Sequence, residues 1–431
     1  MAHLRTQERT TITGLPTEIL NTIVSLLPRD SHLVEISLVS KQFKDLVEWF
    51  RYRSIELILR CAYSGRIQGT STTGNVDRFF GLVENLTRNP NLRRLVVALE
   101  LEVLDDSVGK VSIDHDQLIT LLPSLKELRL IPPPPHLNVQ DSKRLEVLCI
   151  DFYDYAKQYG ADIPEQDRVD PLEIVARHFW ISTLRVLELT TMCLHRARRD
   201  HLFHAVRYRT SSITDLRFML CYDDDLDILP DILLSVRTLK RFIFENEEYW
   251  PTDHLEAKCT TPKWFARTLQ PHKSTLVDLV IAVRATAAFL WRPLFGSLAG
   301  YIHLKRLGIP EKFLVQSTDF TIHELLPPSL EVLQFQFSRE DNMNGDEEES
   351  LQFERMERLA EHKLTCLPAL TRVIWWYELG HKLDGIYLTP NGEPGERWNQ
   401  QASKFNEVGV KFELSLGHYF ENTSLGKDTQ C

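Results

Sequence analysis

One six-residue phrase, L-x-x-L-x-Φ with Φ apolar, constrains this chain more than any other feature. It runs as LRRLVV from Leu92, LKELRL from Leu125, LEVLCI from Leu145, LRVLEL from Leu184 and ITDLRF from Ile213. It continues as LKRFIF from Leu239, LVDLVI from Leu276, LKRLGI from Leu304, LEVLQF from Leu330 and LTRVIW from Leu370. One or two matches would be noise in a leucine-rich chain, but a series with starts roughly 20–40 residues apart is a repeat. In extended backbone the fourth and sixth letters point to one side and the residue between them to the other. Each phrase therefore predicts a short strand with its leucines turned to a core.

Between the phrases, residues 76–86, 172–179, 202–208, 226–236, 264–269 and 287–298 carry apolar residues at helical spacing. A strand, a helix and a second strand in the same direction make a right-handed crossover, and such units stack into a solenoid or a doubly wound sheet. No strand here is a long apolar run, and none ends in a glycine-rich phosphate loop. The α/β solenoid is the better expectation: a curved parallel sheet with helices on the convex side. The series resembles irregular leucine-rich-repeat arrays, although it lacks the Asn that closes each turn in regular ones.

The segment before the repeats has a different rhythm. Ile19, Leu20, Ile23, Val24, Leu26 and Leu27 form an apolar arc of about 160°, wider than the ~100° stripe that one packed face requires. Pro28 closes that helix, and Asp30 or Ser31 can cap a second one holding Leu33, Val34, Ile36, Leu38 and Val39. Ser40 is placed to cap a third, in which Phe43, Leu46, Val47 and Phe50 share a face opposite Lys41, Lys44, Asp45 and Glu48. By pattern alone this could be an ordinary helical cap on the array.

The letters say more. Leu15-Pro16, Glu18-Ile19-Leu20, Ile23, Leu26-Leu27, Leu33 and Leu38-Val39-Ser40-Lys41 with Phe43 resemble an F-box. The resemblance covers about residues 13–57, and irregular leucine-rich arrays often follow such a box. It implies docking to a Skp-family adaptor, and through it to a cullin, by Leu15, Pro16, Ile19, Leu20, Ile23, Leu33, Leu38 and Val39, with Lys41 at the rim. The expected organisation is a disordered stretch at 1–12, an F-box at 13–57, repeats over 58–420 with an acidic loop at 338–350, and a disordered tail at 421–431.

Composition removes several other classes. With net charge −10 and hydrophobic residues at 43%, the chain reads as globular and has no global attraction to nucleic acid or anionic lipid. No run approaches the roughly 18 apolar residues of a membrane helix, so a cytoplasmic or nuclear protein is expected. The seven cysteines stand singly, which suggests neither a zinc module nor a disulfide framework. Nucleotide, zinc-protease and serine-hydrolase signatures are absent from the sequence, so no catalytic residue, metal or cofactor is expected. His195, His201 and His204, interleaved with arginines, read as a solvated basic stretch.

What the F-box resemblance implies is the role of a non-catalytic substrate receptor in a Skp–cullin–F-box ubiquitin ligase. A scaffold that binds a partner without directing its degradation is the alternative. The outward strand positions hold six arginines: Arg94, Arg129, Arg217, Arg241, Arg306 and Arg372. Either they clamp an acidic or phosphorylated protein target, anchored with Trp376, or they pair with Glu127, Glu188, Asp215 and Asp278 on neighbouring strands. Trp376 likewise either anchors a target or packs under the C-terminal tail.

Overall fold

The computed structural model describes Leu20 and residues 37–59, 73–103, 115–131, 144–152, 171–191, 208–221, 228–246, 262–283, 295–315, 322–337, 345–377 and 396–416. The chain divides into two compact units, Met1–Leu145 and Glu146–Cys431. The expected disordered ends, 1–12 and 421–431, lie outside the described residues.

In the first unit, helix α1 (Lys41–Arg53) runs straight into strand β1 (Ser54–Leu59). Helix α2 (Thr73–Arg88) and a helical turn at Pro90–Arg93 lead to β2 (Ala98–Val103); α3 (His115–Thr120) leads to β3 (Glu127–Ile131). The three strands are parallel, with Ser54 beside Ala98 and Ala98 beside Glu127. Because β1 starts at Ser54, the boundary expected after residue 57 falls within a strand.

This register corrects the first phrase. LRRLVV is not a strand: Leu92 and Leu95 lie in the helical turn and its exit, and Val96, expected to point outward with Arg94, is buried. The repeat there is Val96-x-x-Leu99-x-Leu101, as the pairing of Leu99 with Leu128 and Leu101 with Leu130 requires. Arg94 is an exposed turn residue.

The second unit contains β4 (Val147–Asp151), β5 (Val186–Thr190), β6 (Asp215–Cys221), β7 (Arg241–Asn246), β8 (Asp278–Val283), β9 (Arg306–Pro310), β10 (Val332–Phe337), β11 (Arg372–Tyr377) and β12 (Lys411–Leu416). They lie side by side in chain order, all parallel. Helices α4 (Pro171–His178), α5 (Leu229–Ser235), α6 (Pro262–Leu269), α7 (Ile322–Leu325), α8 (Gly345–Cys366) and α9 (Glu396–Glu407) occupy crossovers between them. Residues 345–350 of the expected acidic loop are therefore helical.

Local chemistry repeats with the phrase. From β4 to β10 the carbonyl just before a strand accepts from the last amide before the next strand and from that strand's first: Glu146 O from Arg185 and Val186, Thr214 O from Lys240 and Arg241, Lys240 O from Val277 and Asp278. Hydroxyl groups add staples between units, as when Ser212 Oγ donates to Ile181 O and Leu184 O, and Ser329 Oγ to Leu304 O. The first, fourth and sixth letters form one continuous core: Leu184, Leu187 and Leu189, then Leu239, Phe242 and Phe244, through Leu370, Val373 and Trp375, are all buried. Trp375 closes the stack against Phe353, Trp398 and Phe412, with Phe405 stacked on Phe412 at 4.8 Å. At ~25 cal/mol per Å² of apolar surface removed from water, rings of this size dominate the end of the core.

Candidate functional site

Two surfaces carry the residues expected to bind partners. The first is the approach to α1. Ser40 is extended and its Oγ accepts a hydrogen bond from the Phe43 amide at 3.2 Å, which satisfies one of the free amides of the first turn. Phe43 and Val47 turn into the core, while Lys41, Lys44 and Asp45 face water. The cap holds Leu38 and Val39 in the turn before the helix, where they are 82% and 65% exposed.

Two adjacent aliphatics that open to water raise the free energy of the isolated chain and favour a partner that covers them. Leu20 differs from them: it is 1% exposed, so it packs inward and offers no docking side chain. Leu15, Pro16, Ile19, Ile23 and Leu33 lie outside the described residues.

The second surface is the face of the second unit's sheet opposite the leucine core. Alternation brings Glu188, Asp215, Arg217, Arg241, Asp278 and Arg306 into two adjacent rows on β5 to β9. There they form an unbroken chain of ion pairs. Arg217 donates two bonds to Asp215, at 3.0 and 2.9 Å, and one to Glu188 at 3.1 Å. Arg241 bridges Asp215 at 3.0 Å and Asp278 at 2.9 Å, and Arg306 reaches the same Asp278 oxygen at 3.3 Å. Three guanidinium groups thus face three carboxylates, and the ladder has no net charge. Arg372 stands apart on β11, bound through Nε to Glu413 at 3.0 Å, with Lys411 on the same carboxylate.

The pairing alternative is therefore the one the molecule adopts: none of these arginines is a bare clamp. Burial acts against the charge of Arg217, but Asp215 and Glu188 outweigh it and raise its pKa. Asp278 goes the other way from its partners' pull. Its side chain is 4% exposed, burial pushes its pKa up, and Arg306 and Arg241 only partly offset that. One of its oxygens, Oδ1, is buried without a hydrogen-bond partner among the described residues.

Trp376 is also not an open anchor. It is 3% exposed and packs in a cluster with Ile243, Val280 and Ala282, beside Met219. Gln334, Gln336 and Ile374, also on this face, are buried too. A wholly parallel sheet is normally covered on both faces; reading the array as a one-sided solenoid placed these positions in water. The ion-pair ladder and the tryptophan cluster adjoin on the same face without forming one basic groove.

No helix of the described residues is long and apolar enough to cross a membrane. Comparison with curated proteins returns no significant match. The exposed Leu38-Val39 turn and the capped helix behind it lie within residues 12–54, which match the F-box domain, so the chain carries an F-box that ends where the first strand of its parallel repeats begins.

Proposed function

We propose that this protein is the substrate-recognition subunit of a Skp–cullin–F-box ubiquitin ligase. The observation that carries the reading is the F-box match at residues 12–54, joined without a linker to repeating parallel strands. An F-box is a module that typically docks a Skp-family adaptor, and the exposed Leu38 and Val39 supply apolar surface suited to that role. The repeats would hold a protein target. Catalysis would belong to other subunits, and this chain would contribute proximity, keeping acceptor lysines near the charged ubiquitin carrier.

The neutral ladder bears on what that target is. An acidic or phosphorylated segment would have to displace Glu188, Asp215 or Asp278 from arginines that already hold them. Recognition of the target by shape and by residues outside the ladder fits the charge balance better than a basic clamp.

A pull-down of the tagged chain tests the reading. It should recover adaptor and cullin, together with proteins whose levels rise when the chain is depleted. Recovery of adaptor without cullin and without such proteins would favour a scaffold role. Replacing Leu38 and Val39 together by Asp should abolish adaptor capture while leaving the fold intact, because both side chains lie in water. Capture unchanged by that double variant would remove the docking assignment of this turn.

A further inference from the structure

Three potential metal donors in the second unit come together although the sequence separates them. His362 and Cys366 stand four residues apart on α8 and so share one helix face. His323 comes from α7, which packs against α8. The donor atoms of the three lie within 4.8 Å of one another, and the two imidazole rings stack at 4.0 Å with 13° between their planes. A second observation points to a ligand. His323 is 8% exposed, and its Nδ1 is buried with no hydrogen-bond partner among the described residues. A buried polar nitrogen left in that state costs free energy that a metal bond would remove.

We propose that His323, His362 and Cys366 bind a zinc-class divalent cation that clamps α7 to α8. Two imidazoles and a thiolate are a borderline-soft set, suited to zinc rather than to calcium or magnesium. Tetrahedral zinc, with bonds of about 2.0–2.1 Å to nitrogen and 2.3 Å to sulfur, sets donor atoms roughly 3.3–3.6 Å apart. Reaching that spacing requires the exposed His362 and the half-exposed Cys366 to turn toward His323. The exposure of His362 would let water supply the fourth ligand.

Neighbouring charge is compatible. Burial first, then His362 and Arg358, lower the pKa of the His323 ring, with Glu324 acting the other way. Arg358 is itself paired with Glu354 at 3.3 Å.

The site does not rest on the ligase reading, and a zinc titration of the purified, reduced full-length chain against a chromophoric chelator examines it alone. One zinc per chain is expected, and cobalt in its place should give a thiolate charge-transfer absorption. Cys366→Ser and His362→Ala should each weaken zinc binding by more than about 100-fold, beyond the ~10–100-fold typical of lost outer-shell partners. Cys366→Ser should also remove the absorption. Both residues sit on the wet side of α8, so the variants should keep the wild-type circular dichroism; if the buried His323→Ala variant fails to fold, these two still decide. No zinc uptake at micromolar free metal, or wild-type affinity in either variant, would overturn the proposal, the latter placing the metal on other cysteines or histidines.

Discussion

The two faces of the second unit's sheet obey the same alternation and yet are built from opposite materials. On one, Leu187, Leu216, Phe242, Leu279 and Leu307 follow each other from strand to strand, each at 1% exposure or less. On the other, the same strands carry Glu188, Arg217 and Arg241, then Ile243 and Val280, with Trp376 added from β11. The first face is uniform because a repeat reuses one solution to burying apolar area. The second is a mosaic in which charges satisfy each other across strands and apolar residues gather beside them. Period 2 decides which side a residue takes; it does not decide whether that side is wet.

The largest effect should come from the uniform face. Leu187→Ala leaves a cavity in a fully packed layer and should cost about 2–5 kcal/mol, read as a lowered midpoint in a denaturant titration. A loss below that of the substitutions on the opposite face would break the comparison. Asp278→Ala comes next. It strips one shared oxygen from Arg241 and Arg306, but both guanidinium groups are partly exposed and can turn to water, so about 1–3 kcal/mol is expected in the same titration.

Glu188→Ala should be milder, no more than about 1 kcal/mol, because Arg217 keeps both of its bonds to Asp215. Sequence alone names Glu188 as a possible partner of the outward arginines without saying which one. Only the register shows that Glu188 faces Arg217 from the adjacent strand.

That difference marks what the sequence makes legible. The leucines of the phrase are legible because their spacing is local and repeated, and so is Ser40, whose capping role depends on the next three residues. Strand β12 escapes the phrase because Gly409, with φ of 75°, stands in the first leucine's place. Strand β2 is misplaced because Leu92 and Leu95 imitate the phrase within a turn. Apart from the Arg217–Asp215 pair, the ladder joins residues 26 to 37 positions apart, and the buried state of Trp376 depends on neighbours from other strands. His323 is likewise far from His362 in sequence; only the i, i+4 pairing of His362 with Cys366 on a helix was available as a signal.

The smallest expected effect distinguishes two carboxylates on the mosaic face by the sign of their pH dependence. Asp278 has its pKa raised above the ordinary 3.8 by burial. Its contribution to stability is therefore fully present below that value and is lost as pH rises through the folded-state pKa. For Glu413, burial also pushes upward, but hydrogen bonds and charge from Arg372 and Lys411 outweigh it and hold the pKa below the ordinary 4.5. Its contribution is present above 4.5 and is lost as pH falls through the lowered value. Both groups sit beside arginines; what separates them is that Asp278 is buried more deeply than its partners can offset. Stability measured from about pH 3 to 7 should show this directly. The deficit of Asp278→Asn relative to the parent should shrink as pH rises across the acidic range, whereas that of Glu413→Gln should grow. Parallel pH profiles for the two variants would mean that burial does not control Asp278, and the contrast between a desolvated and a well-paired carboxylate on one face would fail.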